Sequence, residues 1–451
     1  MKNRVVRGVA VTALAIPLAF FAAGCGGKKS SSNGSSNTST GGSTSNSDVK
    51  GTVTFDGIWT GAEAKSFAAV IAAFNEQYPN VKIRYKPVGN NVPTVVGTAV
   101  AGGHPPDMAD IAQPGLVKQF AQQGKLKPIT YAKSVIADNF APVWQQLGTV
   151  DGKLYALVFK AANKSLVWYN VPAFKTAGVT APKTWTALLS TAKTLKQSGT
   201  PAYSIGGADG WTLTDLFENL YLRSYGQQKY QQLSDHKIKW TDPSVVATLK
   251  SMAQVIGDTA NLAGGQAGAI QNGFNASVTN AFSDPPKGAM VFEGDFVGGV
   301  ITSSTKAKPN TGFNVTPFPS VKPGPNASAV EIGGDLLVTF RDTPAIEAFV
   351  KFLATADAAN AWAKLGGFGT GNKNVSADIY PDAITKATET PLGSATSVVF
   401  DMSDLQPSSF GATTGQGEWG IFQDFLKNPS DVNGIAQKLE SAAAAAYKSG
   451  K

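Results

Sequence analysis

An α/β protein built as two lobes is the architecture this sequence predicts, and three observations carry that reading. Strand-like and helix-like hydrophobic periods alternate from residue 52 onward. About 400 residues follow the low-complexity N-terminal stretch, more than one hydrophobic core usually organises. Two near-continuous apolar runs, residues 154–159 and 165–169, mark the middle of the first half as strands buried on both faces.

The first fifty residues are of another kind. Lys2, Arg4 and Arg7 precede an apolar run from Val9 to Phe21, and Ala22, Ala23 and Gly24 lead to Cys25, the only cysteine. A basic start, a short apolar segment and small residues before a cleavage point are the marks of a secretory signal. The run is too short to span a bilayer, which takes roughly 20 residues. Ala-Ala-Gly-Cys resembles the bacterial lipobox, so residues 1–24 are expected as a signal peptide and Cys25 as a lipidated residue. Residues 25–49 are then a disordered Ser/Gly/Asn linker, with too little apolar content to join a core.

The folded body opens with a strand at 52–59, where Val53 and Phe55 alternate with polar residues. Residues 61–78 predict a helix, because Phe67, Val70, Ile71 and Phe74 recur at helical spacing and Pro79 stops it. Residues 81–85 alternate again; 92–101 read as a helix and 105–111 as a turn leading into a short strand. Strand–helix–strand–helix–strand predicts a mostly parallel sheet. After the two apolar runs comes a helix at 184–196, with Thr184 as its cap. An aromatic-rich helical section follows at 213–232, then strands at 288–292, 312–315 and 332–340. Residues 343–354 and 432–448 read as helices, and no internal repeat is evident.

Composition removes several function classes. The formal charge of +8 falls to about +5 without the signal, and the remaining Lys and Arg are scattered, so no nucleic-acid footprint is expected. One Cys and two distant His, His104 and His236, leave little for metal or thiol chemistry, and neither metal nor cofactor is expected. A Ser-His-Asp triad lacks its GxSxG elbow.

Several stretches resemble the solute-binding proteins of bacterial carbohydrate ABC importers. They are Trp59-Thr-Gly-Ala-Glu63, Gly103-His-Pro-Pro-Asp107, Asp151-Gly-Lys-Leu-Tyr155 with Ser165-Leu-Val-Trp-Tyr-Asn170, then Phe174, Gly178, Pro182 and Thr184-Trp185, and finally Gly333-Gly334. The likeness covers residues 50–448; Asp284-Pro-Pro-Lys-Gly-Ala-Met290 and Pro114-Gly115 look most like the maltose and α-glucoside branch. Tyr155-Ala-Leu-Val departs from the family's Tyr-Gly-Val-Pro. The resemblance implies a type II periplasmic-binding-protein fold, with a hinge and an interlobe cleft that closes around a ligand. It implies lobe 1 at 50–162 plus 331–398 and lobe 2 at 163–330 plus 399–451. It also implies an exported monomer, lipid-anchored on the outer face of the cytoplasmic membrane or in the periplasm, that serves a membrane permease and is not an enzyme.

A sugar site needs aromatic plates for apolar ring faces and carboxylates or amides for hydroxyls. Trp59 and Glu63 stand at the end of the first strand, the cleft edge of such a lobe, with a core or capping role for Trp59 as the alternative. Asp107 and Asp110 flank the third strand, and Asp107 is equally suited to fixing its own turn. Trp211 follows a polar loop with Asp209 beside it; Glu293 and Asp295 follow a buried strand, as cleft groups or as a solvated turn. Gly334 and Asp335 follow the second crossover, Phe368 lies in a Gly-rich loop, and Trp419 matches a sugar-stacking aromatic of the family. Trp168, Tyr169 and Trp185 read as core. Two other readings stay open: the same fold with a polyol, glycerol phosphate or polyamine, and a secreted glycoside-active enzyme. The enzyme would need two carboxylates about 5–10 Å apart across a sugar.

Overall fold

A computed structural model describes residues 46–449, so the expected signal segment, Cys25 and most of the linker lie outside the described residues. Among the described residues no helix is long and apolar enough to cross a membrane. Among the described residues eleven strands form two principal sheets and one small hairpin. In chain order they are β1 (Gly51–Gly57), β2 (Val81–Pro87), β3 (Met108–Ile111), the hairpin pair β4 (Thr149–Val150) and β5 (Lys153–Leu154), β6 (Ala156–Asn163) and β7 (Leu166–Asn170). β8 (Met290–Phe292), β9 (Phe313–Pro317), β10 (Glu331–Thr339) and β11 (Val399–Phe400) follow.

The larger sheet runs β11-β10-β3-β1-β2, with β6 also paired to β10. The expected parallel arrangement holds for the first three strands, and β11 is parallel to β10, but the sheet as a whole is mixed. β1 is parallel to β2 and β3, but β10 is antiparallel to both β3 and β6. β10 returns from more than 200 residues downstream of β3, so no local βαβ unit sets its direction. β2 closes one edge and exposes Lys82, Arg84 and Lys86, charges that discourage pairing with another chain. The smaller sheet is antiparallel throughout, with β7 between β8 and β9.

Each sheet supports its own core. The first gathers Val53, Phe55, Phe67, Phe159, Leu336, Phe349 and Trp362, all nearly inaccessible. Helix Gly61–Gln77 joins it through Phe67, Val70 and Phe74. The second gathers Leu188, Phe217, Leu220, Trp240, Leu249, Phe422 and Leu439. The chain passes between the cores three times: from β6 into β7, from β9 into β10, and from β11 into the short helix Met402–Leu405.

Local chemistry sets the helix ends. The Thr184 hydroxyl accepts from Ala187 N at 3.2 Å, heading helix Trp185–Gln197 as expected. Thr343 accepts from Ile346 N at 3.3 Å, and Pro344 occupies the first turn of helix Pro344–Leu353. The long helix Trp211–Ser234 is interrupted at Gly226, whose φ of 82° breaks the helical path where the Asn326 side chain packs against it.

Candidate functional site

A cavity enclosing about 1120 Å³ of empty space, its open mouth included, lies between the two cores and is lined from both. Trp59, Glu63, Lys160, Gly334 and Asp335 border it from the side of the first core; Asp209, Trp211 and Trp419 border it from the side of the second, with Phe274 and Phe296 beside them on a smaller cluster around Trp168 and Phe313.

The first-core wall is a chain of charge and hydrogen bonds. Lys160, in the otherwise apolar β6, places its Nζ 2.7 Å from Glu63 Oε1 and 4.0 Å from Asp335 Oδ2. Burial works against the ammonium, but Glu63 and Asp335 outweigh it and hold its pKa above the ordinary value. Asp335 also accepts from the Trp59 indole N–H at 2.7 Å, and burial raises its carboxyl despite Lys160. Trp59 itself is fully buried among Phe55, Phe67, Tyr85, Phe159 and Trp362. It orients Asp335 at the cleft wall from within the core.

Aromatic rings make the opposite wall. Trp211, Phe274 and Phe296 are each half-buried and touch one another, with centroids 5.2 to 6.1 Å apart. Trp211 is the first residue of its helix rather than part of the loop before it. Asp209 accepts from Phe274 N at 2.5 Å, and burial raises its pKa. Trp419 lies in helix Gly417–Lys427; Gly210, at φ 81°, leaves no room for a Cβ beside it, since one would sit 2.7 Å from the Trp419 Cβ. The Trp419 indole N–H is buried and without a partner among the described residues.

The floor is acidic. Lys164 reaches Asp215 at 3.1 Å and Asp401 at 2.5 Å, its side chain crossing β10 at Gly333, where a Cβ would lie 2.7 Å from Lys164 Cε. Burial pushes Asp215 up to about 7, whereas Lys164 overcomes the burial of Asp401 and holds it below the usual carboxylate range. Glu331, Glu293, Glu218, Glu418 and Asp404 are all buried and raised well above the ordinary carboxyl value. Asp215, Glu331 and Asp401 bring carboxylate oxygens within 4.8 Å of one another, the one metal-like grouping among the described residues. The Lys164 ammonium already supplies the positive charge there.

Of the residues singled out from sequence, Trp59, Glu63, Asp209, Trp211, Gly334, Asp335 and Trp419 border this cavity. Five others lie elsewhere. Asp107 Oδ2 accepts from Thr54 N and Oγ1, both at 2.8 Å, which ties β1 to the turn before β3. Asp110 is wholly buried and accepts from Ile58 N at 3.3 Å. Glu293 lies in a small interior pocket beside Ser204 and Ser277, while Asp295 accepts from Asn163 N at 2.6 Å across the first crossing. Both are buried, so neither forms the solvated turn weighed above. Phe368 is fully buried between Phe159 and Trp362 and does not reach the cavity. Gly334 meets Lys160 O and Val158 where a Cβ would be, so its smallness serves strand packing.

Sequence reasoning passed over Lys160, Lys164, Phe274, Phe296, Gln113 and Asp404, which also line the cavity. One signal was present: two lysines within the apolar stretch 154–169 are rarely buried without partners.

A two-lobed α/β body with three crossings and a polar, aromatic-walled cleft is a ligand receptor of the type II periplasmic-binding class. The solved structures agree on the fold. A chitin oligosaccharide binding protein superposes with a TM-score of 0.76 at 19% identity, over 88% of this chain and 99% of its own. The bacterial solute receptor AcbH also gives 0.76, at 21% identity over 89% and 100%. Residues 59–360 match the family model described as bacterial extracellular solute-binding protein, and the chain belongs to that family. Among relatives, the alpha-glucosides-binding periplasmic protein AglE of Rhizobium meliloti is 32% identical over 412 residues, 87% of each chain. The osmoprotective compounds-binding protein GgtB of Synechocystis sp. is 28% identical over 380 residues, 83% of this chain and 88% of its own. Members of this family bind solutes and are not enzymes.

Proposed function

We propose that this protein is the receptor of an ABC importer, capturing a di- or oligosaccharide of α-glucoside type and delivering it to a membrane permease. The observation that carries the reading is the opposition of three half-exposed rings, Trp211, Phe274 and Phe296, to the carboxylates Glu63 and Asp335, with Asp209 beside the rings. Rings cover the apolar faces of a pyranose; carboxylates accept from its equatorial hydroxyls. The likeness to AglE supports the α-glucoside class. Glycerol phosphate fits less well, because the two lysines facing the cleft are already engaged, Lys160 by Glu63 and Lys164 by Asp215 and Asp401. In this reading lobe 1 is 50–162 plus 331–398 and lobe 2 is 163–330 plus 399–451. The ligand contacts are drawn from Glu63, Asp209, Trp211, Asp335 and Trp419, with Phe274 and Phe296 added, and Trp59 and Gly334 shape the wall. Cys25 carries the lipid and residues 25–49 the tether, which keeps a monomeric receptor on the membrane surface close to its permease.

Titration with maltose, trehalose and longer α-glucosides is expected to change tryptophan fluorescence and to raise the melting temperature in proportion to RT ln(1 + [L]/Kd). Silence across mono-, di- and oligosaccharides would sink the carbohydrate assignment. Repeating the experiment with Cys25→Ser separates the two halves of the proposal: sugar response is retained while the protein leaves the membrane fraction.

A further inference from the structure

Gln113 and Asp404 meet at the floor of the cleft, from two different parts of the fold. Gln113 heads helix Pro114–Gln122, which packs on the first core through Leu116, Val117 and Phe120. Asp404 lies in the third crossing, on a helix whose Met402 belongs to the second core and whose Leu405 packs against the first. Gln113 Nε2 donates to Asp404 Oδ1 at 2.9 Å, in a buried contact bordering the cavity. The other half of the amide is the unusual part: Gln113 is 3% exposed, and its Oε1 has no donor among the described residues. A buried carbonyl oxygen left without a donor costs roughly 1–3 kcal/mol.

The surroundings of Asp404 say where a donor comes from. Asp401 precedes it on the same crossing, Asp215 faces it from helix Trp211–Ser234, and Glu418 approaches from helix Gly417–Lys427. Gln113 is the contact from helix Pro114–Gln122. The cation facing the group is Lys164, from the first crossing, and its ammonium is bonded to Asp215 and Asp401 instead. A carboxylate there is buried, beside like charge, and without a cation of its own. A neutral carboxyl escapes all three penalties, and its O–H is the donor that Gln113 Oε1 lacks.

We propose that Gln113 and Asp404 form a proton-dependent clasp across the cleft floor, a carboxylic acid paired with a carboxamide through two hydrogen bonds, which holds the lobes in their closed arrangement. Loss of the proton leaves one hydrogen bond and turns the Asp404 oxygens against Gln113 Oε1. Hydration of the carboxylate then favours withdrawal of the crossing from helix Pro114–Gln122 and opening of the cleft. The closed state therefore binds the proton more tightly than the open state, so acid favours closure and alkali favours opening. Raising of the Asp404 pKa by burial, then by Asp401, agrees in sign. The inference goes beyond the proposed function and is independent of which solute is captured.

The test needs no ligand, so it stands apart from the sugar assignment. Hydrogen exchange of the backbone amides of residues 113–117 and 402–406 is followed by mass spectrometry on the full chain from pH 5.5 to 8.5, each rate divided by its intrinsic value. Protection in the wild type is expected to fall with rising pH, by up to about tenfold per unit between the open-state and the closed-state pKa of Asp404, as a one-proton linkage requires. Asp404→Asn replaces the acid with an amide that donates and accepts in the same places, and is expected to hold high protection at every pH. Gln113→Met removes the acceptor and is expected to give low, pH-independent protection. A wild-type profile without pH dependence, or one shared by Asp404→Asn, overturns the clasp; should that variant not fold, a pH slope persisting in Gln113→Met overturns it equally.

Discussion

Two lysines six ångströms or less from aromatic rings define how charge and apolar surface are combined at this cleft. Lys160 Nζ stands 5.3 Å from the Phe296 ring centroid and Lys164 Nζ 5.4 Å from that of Trp211. Each ammonium is also tied to carboxylates, so cation, acid and ring stand together at the cavity surface. Trp211 is the more exposed tryptophan of the pair at the wall, while Trp419 is 3% exposed. Truncating Trp211 to Ala is expected to weaken saccharide binding by about 2 kcal/mol, the loss of a central aromatic anchor. Trp419→Ala is expected to weaken binding and also to lower stability, because removing its buried indole leaves a cavity. Calorimetric titration beside a melting curve distinguishes the two; full affinity in Trp211→Ala would remove the ring from the site. Trp211 and Asp209 were singled out from the sequence itself, at a polar loop, and Trp419 and Asp335 from the family resemblance; all four border the cavity. Phe274 and Phe296 were not singled out, since phenylalanine is abundant in any core and nothing local tells a half-exposed ring from a buried one. Asp107, Asp110 and Phe368 show the converse: residue type suited the chemistry, but the neighbours that employ them come from distant elements.

At the scale of elements, what hydrophobic period can encode was readable. Helix Val92–Ala101 matches its expected bounds, and helices Trp185–Gln197 and Pro344–Leu353 begin after the caps Thr184 and Thr343. Strand direction was not readable, because β10 joins β3 and β6 from the far end of the chain and the sheet is mixed as a result. Close contacts between elements were equally hidden. Gly115, one residue into helix Pro114–Gln122, lies so near the third crossing that a Cβ would stand 2.2 Å from Gln406 O and 2.9 Å from Leu405 O. Both atoms are backbone, so neither can turn aside by changing rotamer. Gly115→Ala is therefore expected to push the helix off the crossing and cost about 1–3 kcal/mol, the usual range for overpacking. Chemical denaturation measures this; a variant as stable as the wild type would mean that the two segments are not in register as described.

The whole molecule carries an excess of buried carboxyl groups, and its stability should depend on pH in a direction opposite to that of most acid-sensitive proteins. Burial raises Asp110, Glu218, Glu293, Glu331, Glu389, Asp404 and Glu418 well above their ordinary values, and pushes Asp215 and Asp295 up to about 7. A carboxyl raised on folding holds its proton in the native state at a pH where the unfolded chain has released it. Stability is then fully present below the unfolded value near 4 and is lost as pH rises through the folded one. Each such group removes up to about 1.4 kcal/mol per pH unit in the interval between its unfolded and its native pKa. Asp401 works the other way, held down by Lys164, and contributes stability that fades only in acid. Lys164 and Lys160 are raised, so their share is lost only in strong alkali. Between pH 5.5 and 8.5 the raised carboxyls outnumber Asp401, and the melting temperature is expected to fall across that interval. Scanning calorimetry at constant ionic strength reads it directly, and a melting temperature that climbs from pH 5.5 to 8.5 would mean that these carboxyls are ionised and paired in the native protein. Asp215→Asn, which keeps the shape and removes one titrating group beside Lys164, is expected to flatten the slope without abolishing it, since the remaining carboxyls still hold their protons.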